Sequence, residues 1–172
     1  SSAAADVYKR QSSSLALACS LVGANFIYAS PENYKIPIEI WKTAEQYSIQ
    51  SGTNVSWTNS PEEAANNSDV IYTDVWASMG QKDQAESRTK IFKNFQVNSK
   101  MMDSTKKDTL FMHCLPAHRE EEVTAAVIDG KNSVVWDGAE HRLLVVRLHI
   151  CNQGGDGHVL RRINFGGPQA QR

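Results

Sequence analysis

Short apolar runs alternate with longer stretches of helical pattern along this chain. Residues 25–29, 54–58, 70–73, 109–113 and 133–136 are each too short for a helix and carry Ile, Val, Tyr, Phe or Trp, which predicts buried strands. Between them lie helix signals. Ser12, Ser13 and Ser14 offer an N-cap ahead of Leu15, Leu17, Ala18, Leu21 and Val22, predicting a helix over 12–22. A second helix is predicted over 37–50, with Pro37 in its first turn, Ile40, Trp41, Ala44 and Tyr47 on one face, and Gly52 as its stop. Ser60-Pro61-Glu62-Glu63 supplies a cap, a proline at the first helical position and acids on the positive dipole end, and that short helix ends near Asn66-Asn67. Further helices are predicted over 83–95, 97–102, 120–128 and 139–148. Alternating strands and helices predict an α/β fold with a doubly wound parallel sheet covered on both faces.

The two ends break this pattern. Residues 1–11 are small and polar and are expected to form a leader outside the fold. The α/β domain is expected over 12–148, followed by an atypical, disordered tail over 149–172 with Gly154-Gly155, Gly166-Gly167 and Arg161-Arg162.

Composition changes the picture little. The chain has 172 residues, enough for one domain with a core, and a formal net charge of −1. That balance gives no reason to expect nucleic acid or a membrane surface as partner. No run is long and apolar enough to span a bilayer. Three cysteines at wide spacings, Cys19, Cys114 and Cys151, suit a reduced cytoplasmic protein better than a disulfide framework.

Candidate chemistry gathers at two strand ends. Val70-Ile71-Tyr72 runs into Asp74-Val75-Trp76-Ala77-Ser78-Met79-Gly80, and Leu110-Phe111-Met112 runs into His113-Cys114-Leu115-Pro116. In open α/β sheets the carboxyl edge of the strands is where ligands bind. Asp74 can hold a cationic amine, with the Ser78 hydroxyl and the Met79 and Gly80 amides facing a carboxylate, or Asp74 and Ser78 can simply cap a turn. Cys114 can be a packed thiol, a nucleophile, or a group that polarises an amine's surroundings. His113 and His118 are weaker candidates, and His118 is expected to face solvent. No His, Cys or acid set has zinc-like spacing, so no metal or other cofactor is expected. Arg142 can fork onto a phosphate or carboxylate, or pair with Glu140 on the surface. A glycine-rich nucleotide loop is lacking.

Together, Asp74-x-x-x-Ser78-Met79-Gly80, His113-Cys114-Leu115-Pro116-Ala117-His118-Arg119 and Ala139-Glu140-x-Arg142 resemble the ornithine carbamoyltransferases. The likeness runs over about 14–142. It implies the second, ornithine-binding domain of a two-domain enzyme, with a Rossmann-like sheet. That enzyme moves a carbamoyl group from carbamoyl phosphate to L-ornithine, giving L-citrulline and phosphate in arginine metabolism. By the same resemblance, Asp74, Ser78 and Met79 hold ornithine, Cys114 sits at the reacting amine, and Cys114, Leu115 and Arg142 contact carbamoyl phosphate. The family is typically homotrimeric. Aspartate carbamoyltransferases share the architecture but not the Ser-Met-Gly loop. Putrescine or an acylated ornithine as the acceptor, or a non-catalytic amino-acid-binding module, are the competing readings.

Against the family pattern this chain lacks the first domain, with its phosphate loop, and the first strand of the second domain. Loss of that strand is expected to leave a gap in the core. Arg10 stands where the family has an asparagine, Asp137-Gly138-Ala139-Glu140-His141-Arg142 departs from the usual Asp-Glu-Ala-Glu-Asn-Arg, and the text is unrelated from about Leu143. The chain by itself is therefore expected to be inactive.

Overall fold

A computed structural model of the chain describes residues 3–76 and 82–136. In chain order the elements are α1 (Ala3–Val22), β1 (Phe26–Ala29), α2 (Ile38–Ser51), β2 (Val55–Thr58), α3 (Pro61–Ala65), β3 (Val70–Thr73), α4 (Lys82–Phe92), α5 (Ser99–Asp103), β4 (Leu110–His113) and α6 (Ala125–Ile128), with 3-10 turns at Glu32–Tyr34 and Lys93–Phe95. The fold is an incomplete α/β Rossmann-like sheet.

All named strand pairs are parallel, but they form two separate sheets, β1 with β2 and β3 with β4. Each half has its own core. Ala16, Tyr28, Ile36, Ala44 and Val55 pack around the first. Ala65, Val97, Met101, Phe111, Val123, Val127, Ile128 and Val135 pack around the second. Between the halves lies a cavity of about 640 Å³, lined by residues of both β1 and β3 and by Gln11, Leu15 and Cys19 of α1. This is the gap that the resemblance implies. Its effect shows in β3, where every residue is only half-buried, whereas Phe111, Met112 and His113 of β4 are buried.

The local signals explain most of the elements. Gly52 ends α2 in the left-handed region at φ 72°, where a Cβ would be strained, and its N–H closes onto the Ile49 carbonyl. Ser60 caps α3 by accepting the Glu63 N–H at 3.2 Å, with Pro61 at the first helical position. The crossovers run from β1 through α2 to β2 on one side, then through α3 to β3 beyond the gap. With right-handed crossovers these two helices fall on opposite faces, and the strand order reverses at the cavity.

Three boundaries differ from expectation. α1 starts at Ala3 rather than Ser12, so residues 3–11, expected as a leader, are helical. The Ala3-Ala4-Ala5 run has the highest helix propensity of any residue type, and the serines read as a cap lie inside the helix. The helix expected over 120–128 is only Ala125–Ile128, because Glu120 turns left-handed at φ 68° and its carboxylate caps the Ala125 N–H at 2.9 Å. The strand expected over 133–136 reduces to one parallel bridge, Ser133 with Phe111, before the backbone becomes helical at Val135. The helix expected over 139–148 and the tail over 149–172 lie outside the described residues.

Phe111 is fully buried at the middle of β4 and bonds on one edge to Asn132 and Val134. Phe111→Ala is expected to cost about 3–5 kcal/mol. A urea titration checks this as a lowered midpoint, with loss of the native baseline as the extreme outcome.

Candidate active site at the carboxyl ends of two paired strands

Register builds this site. β3 and β4 pair in parallel with Thr73 opposite His113. The next residue on each chain is therefore Asp74 and Cys114. In-register neighbours on parallel strands lie about 4.8 Å apart and project to the same face. Their side chains meet: the Cys114 S–H donates to Asp74 Oδ1 at 2.7 Å. The same oxygen accepts the Val75 N–H at 2.7 Å, which fixes the carboxylate at the strand end.

This environment keeps the thiol protonated. Burial first, then the bond to Asp74 and that carboxylate's charge, together push the Cys114 pKa up from 9.0 to about 12. Side-chain hydrogen bonds from Tyr72 and Gln11 act in the opposite sense. A neutral thiol is a weak nucleophile, because the thiolate is the reactive form. Of the roles left open by the sequence, a polarising hydrogen-bond donor fits this geometry, and a nucleophile does not.

Below the thiol, polar groups shape the turn. His113 Nδ1 accepts the Leu115 N–H at 2.9 Å, and Nε2 lies 3.2 Å from Glu122 Oε1 in a fully buried pair. Leu115 is left-handed at φ 53° and precedes a cis bond to Pro116. On the β3 side, Trp76 is buried against Phe92, and the buried Arg88 donates to the Trp76 carbonyl at 3.3 Å. These contacts anchor the backbone just after Asp74.

Among the expected site residues, Asp74, Cys114 and Leu115 come together. Ser78, Met79 and Arg142 lie outside the described residues. His118 is roughly half-exposed, as expected for a loop residue. Sequence reasoning missed Gln11, Tyr72, Arg88 and Glu122. Tyr72 donates to Gln11 Oε1 at 3.3 Å, beside the thiol. Gln11 looked like part of a leader, and nothing in the local pattern marked it. His118, Glu121 and Glu122 offer possible metal-ligand atoms within 4.8 Å of one another. Glu122 is already engaged there by His113 and by the His118 N–H.

The half-buried Asp74 and the buried Cys114 thus meet at the carboxyl edge of a parallel α/β sheet, and comparison with known proteins identifies the family. Residues 3–147 match the aspartate/ornithine carbamoyltransferase Asp/Orn-binding domain, and the chain belongs to that family. It is 52% identical over 130 residues to the ornithine carbamoyltransferase of Pyrococcus horikoshii, covering 76% of this chain and 41% of that protein. The Bacillus subtilis ornithine carbamoyltransferase is 46% identical over 132 residues, covering 77% and 41%. Among solved structures, the Pyrococcus furiosus ornithine carbamoyltransferase superposes with TM-score 0.71 at 50% identity, covering 81% of this chain and 43% of that one. The anabolic enzyme from Campylobacter jejuni gives 0.72 at 34% identity, covering 82% and 46%. The chain thus spans less than half the length of these relatives.

Two outcomes follow from the thiol's environment. Ultraviolet titration of thiolate absorbance should show Cys114 ionising only near pH 12, and Asp74→Asn should move it down, because a neighbouring negative charge and its hydrogen bond are lost. The unfolded chain releases this proton near pH 9 while the folded chain retains it, so the folded state binds more protons between about 9 and 12. Stability should fall as pH rises through that window. Cys114→Ser should lack this component in urea midpoints measured across it.

Proposed function

We propose that the chain carries the ornithine half of a carbamoyl-transfer site, in which the δ-amine of L-ornithine attacks carbamoyl phosphate to give L-citrulline and phosphate. The observation that carries this reading is the Cys114 S–H to Asp74 Oδ1 contact at the carboxyl ends of β3 and β4. It is supported by the Ser78-Met79-Gly80 motif that follows Asp74 in sequence.

The chemical problem is the amine's charge. A lysine-like amine has a pKa near 10.4, so freeing it at pH 7 costs roughly 4–5 kcal/mol. Desolvation favours the neutral amine, and a nearby carboxylate gives its proton an acceptor. Asp74 has a second oxygen, Oδ2, with no partner among the described residues. In this reading Oδ2 receives the amine, and the thiol holds Oδ1 so that the carboxylate cannot rotate away. Leu115 already gives its N–H to His113, which leaves its carbonyl for the carbamoyl group. Ser78 and Met79 complete the grip on the amino-acid end, and Arg142 meets the phosphate. Catalysis leans on preorganised charge stabilisation. The phosphate side of such a site would come mostly from outside these residues, so the chain alone is expected to turn over nothing.

In a longer protein that carries this domain, Cys114→Ala should reduce citrulline formation and change its pH profile. Unchanged turnover across pH would overturn the reading. The isolated chain should release no citrulline in a colorimetric assay. Calorimetry should detect ornithine binding that Asp74→Asn abolishes. Preference for putrescine or an acetylated ornithine in a substrate panel would redirect the assignment, and ornithine binding without transfer in the longer protein would favour a binding module.

A further inference from the structure

Glu122 is the one fully buried carboxylate among the described residues. Its Oε1 accepts the His118 N–H at 2.6 Å and faces His113 Nε2 at 3.2 Å, while Oε2 is buried with no hydrogen-bond partner. Such an arrangement is costly, because a buried polar oxygen loses hydration that no contact replaces. The loop therefore carries a group that plain packing would replace with an apolar side chain.

The ring between Glu122 and the thiol turn has only one workable protonation state. Nδ1 of His113 accepts the Leu115 N–H at 2.9 Å, so it carries no proton. The proton then sits on Nε2 and points at the Glu122 carboxylate. With the other tautomer, Nδ1–H would face the Leu115 N–H, donor against donor. Leu115 is held at φ 53°, a left-handed conformation that crowds the Cβ of a leucine against its own backbone. A contact must oppose its relaxation, and the Nδ1 bond is placed to do so.

We propose that Glu122 is a positioning residue: by fixing the Nε2–H tautomer of His113 it holds Leu115 in its left-handed turn and keeps the Cys114 thiol seated on Asp74. Its bearing on carbamoyl transfer rests on the function proposed above, whereas the seating of the thiol does not. In this scheme a neutral acceptor suffices, so Glu122→Gln retains the arrangement and Glu122→Ala releases it. Once released, Cys114 leaves the buried, acid-flanked environment that holds its pKa near 12 and becomes reactive.

The test is iodoacetamide labelling of the full chain at about pH 8, with each cysteine's modification read by peptide mass spectrometry. Cys19 is buried in α1, away from this turn, and reports general loosening. Relative to the unsubstituted chain, Glu122→Ala is expected to speed Cys114 labelling at least about tenfold with Cys19 unchanged, and Glu122→Gln to stay near the starting rate. Nitrogen-15 spectra of the histidine rings should show an unprotonated Nδ1 in His113 of the starting chain, retained in Glu122→Gln and lost in Glu122→Ala. The proposal is overturned if Cys114 labelling is unmoved in a folded Glu122→Ala chain. It is equally overturned if Cys114 and Cys19 accelerate together, or if His113 carries its proton on Nδ1. Should Glu122→Ala not fold, the tautomer of the starting chain and the Glu122→Gln labelling rate still decide it.

Discussion

The parallel register of β3 and β4 is the constraint on which the site depends. Thr73 stands opposite His113, so the residues that leave the two strands are Asp74 and Cys114, side by side on one face. Strand side chains alternate with a period of two, so a slip of one residue would carry Cys114 to the opposite face. The register in turn rests on Phe111, which is fully buried and bonded on its far edge to Asn132 and Val134. Chemistry at the strand ends and packing in the strand middle are one problem here: the apolar run that fills the core also sets where the thiol emerges.

Electrostatics at this position then follow from burial. A buried thiol beside a half-buried carboxylate resolves its conflict by keeping its proton and donating it. The contact serves the carboxylate more than the sulfur. It orients one oxygen of Asp74 at the rim of the sheet, where a cationic ligand could meet the other. His113, often the first residue to be suspected of acid–base work, is instead spent inside the protein, one ring nitrogen on Glu122 and the other on a backbone N–H.

Much of this was legible from the chain. Residues with strong local physics declared themselves: Gly52 at a left-handed helix end, Ser60 and Pro61 at a helix start, and the apolar run ahead of Cys114. The illegible parts share a cause. Glu120, Glu121 and Glu122 read as acids in a first helical turn, yet Glu120 reaches forward to cap Ala125 and Glu122 turns inward to His113. Gln11 and Arg88 likewise owe their roles to elements distant in sequence, Tyr72 in one case and the backbone at Trp76 in the other. A polar residue's burial is decided by what folds over it, and local pattern carries no record of that.

The divided sheet has a consequence for handling the molecule. In the alternation of parallel strands, Phe26 and Ser30 direct their backbone groups toward β2, which turns those of Ile27 and Ala29 toward the cavity. Proteins ordinarily blunt such open ladder groups with charge, proline or a covering helix. Here they border an interior space beside an exposed Ile27 side chain, so the molecule has a strand edge able to template stray extended chains.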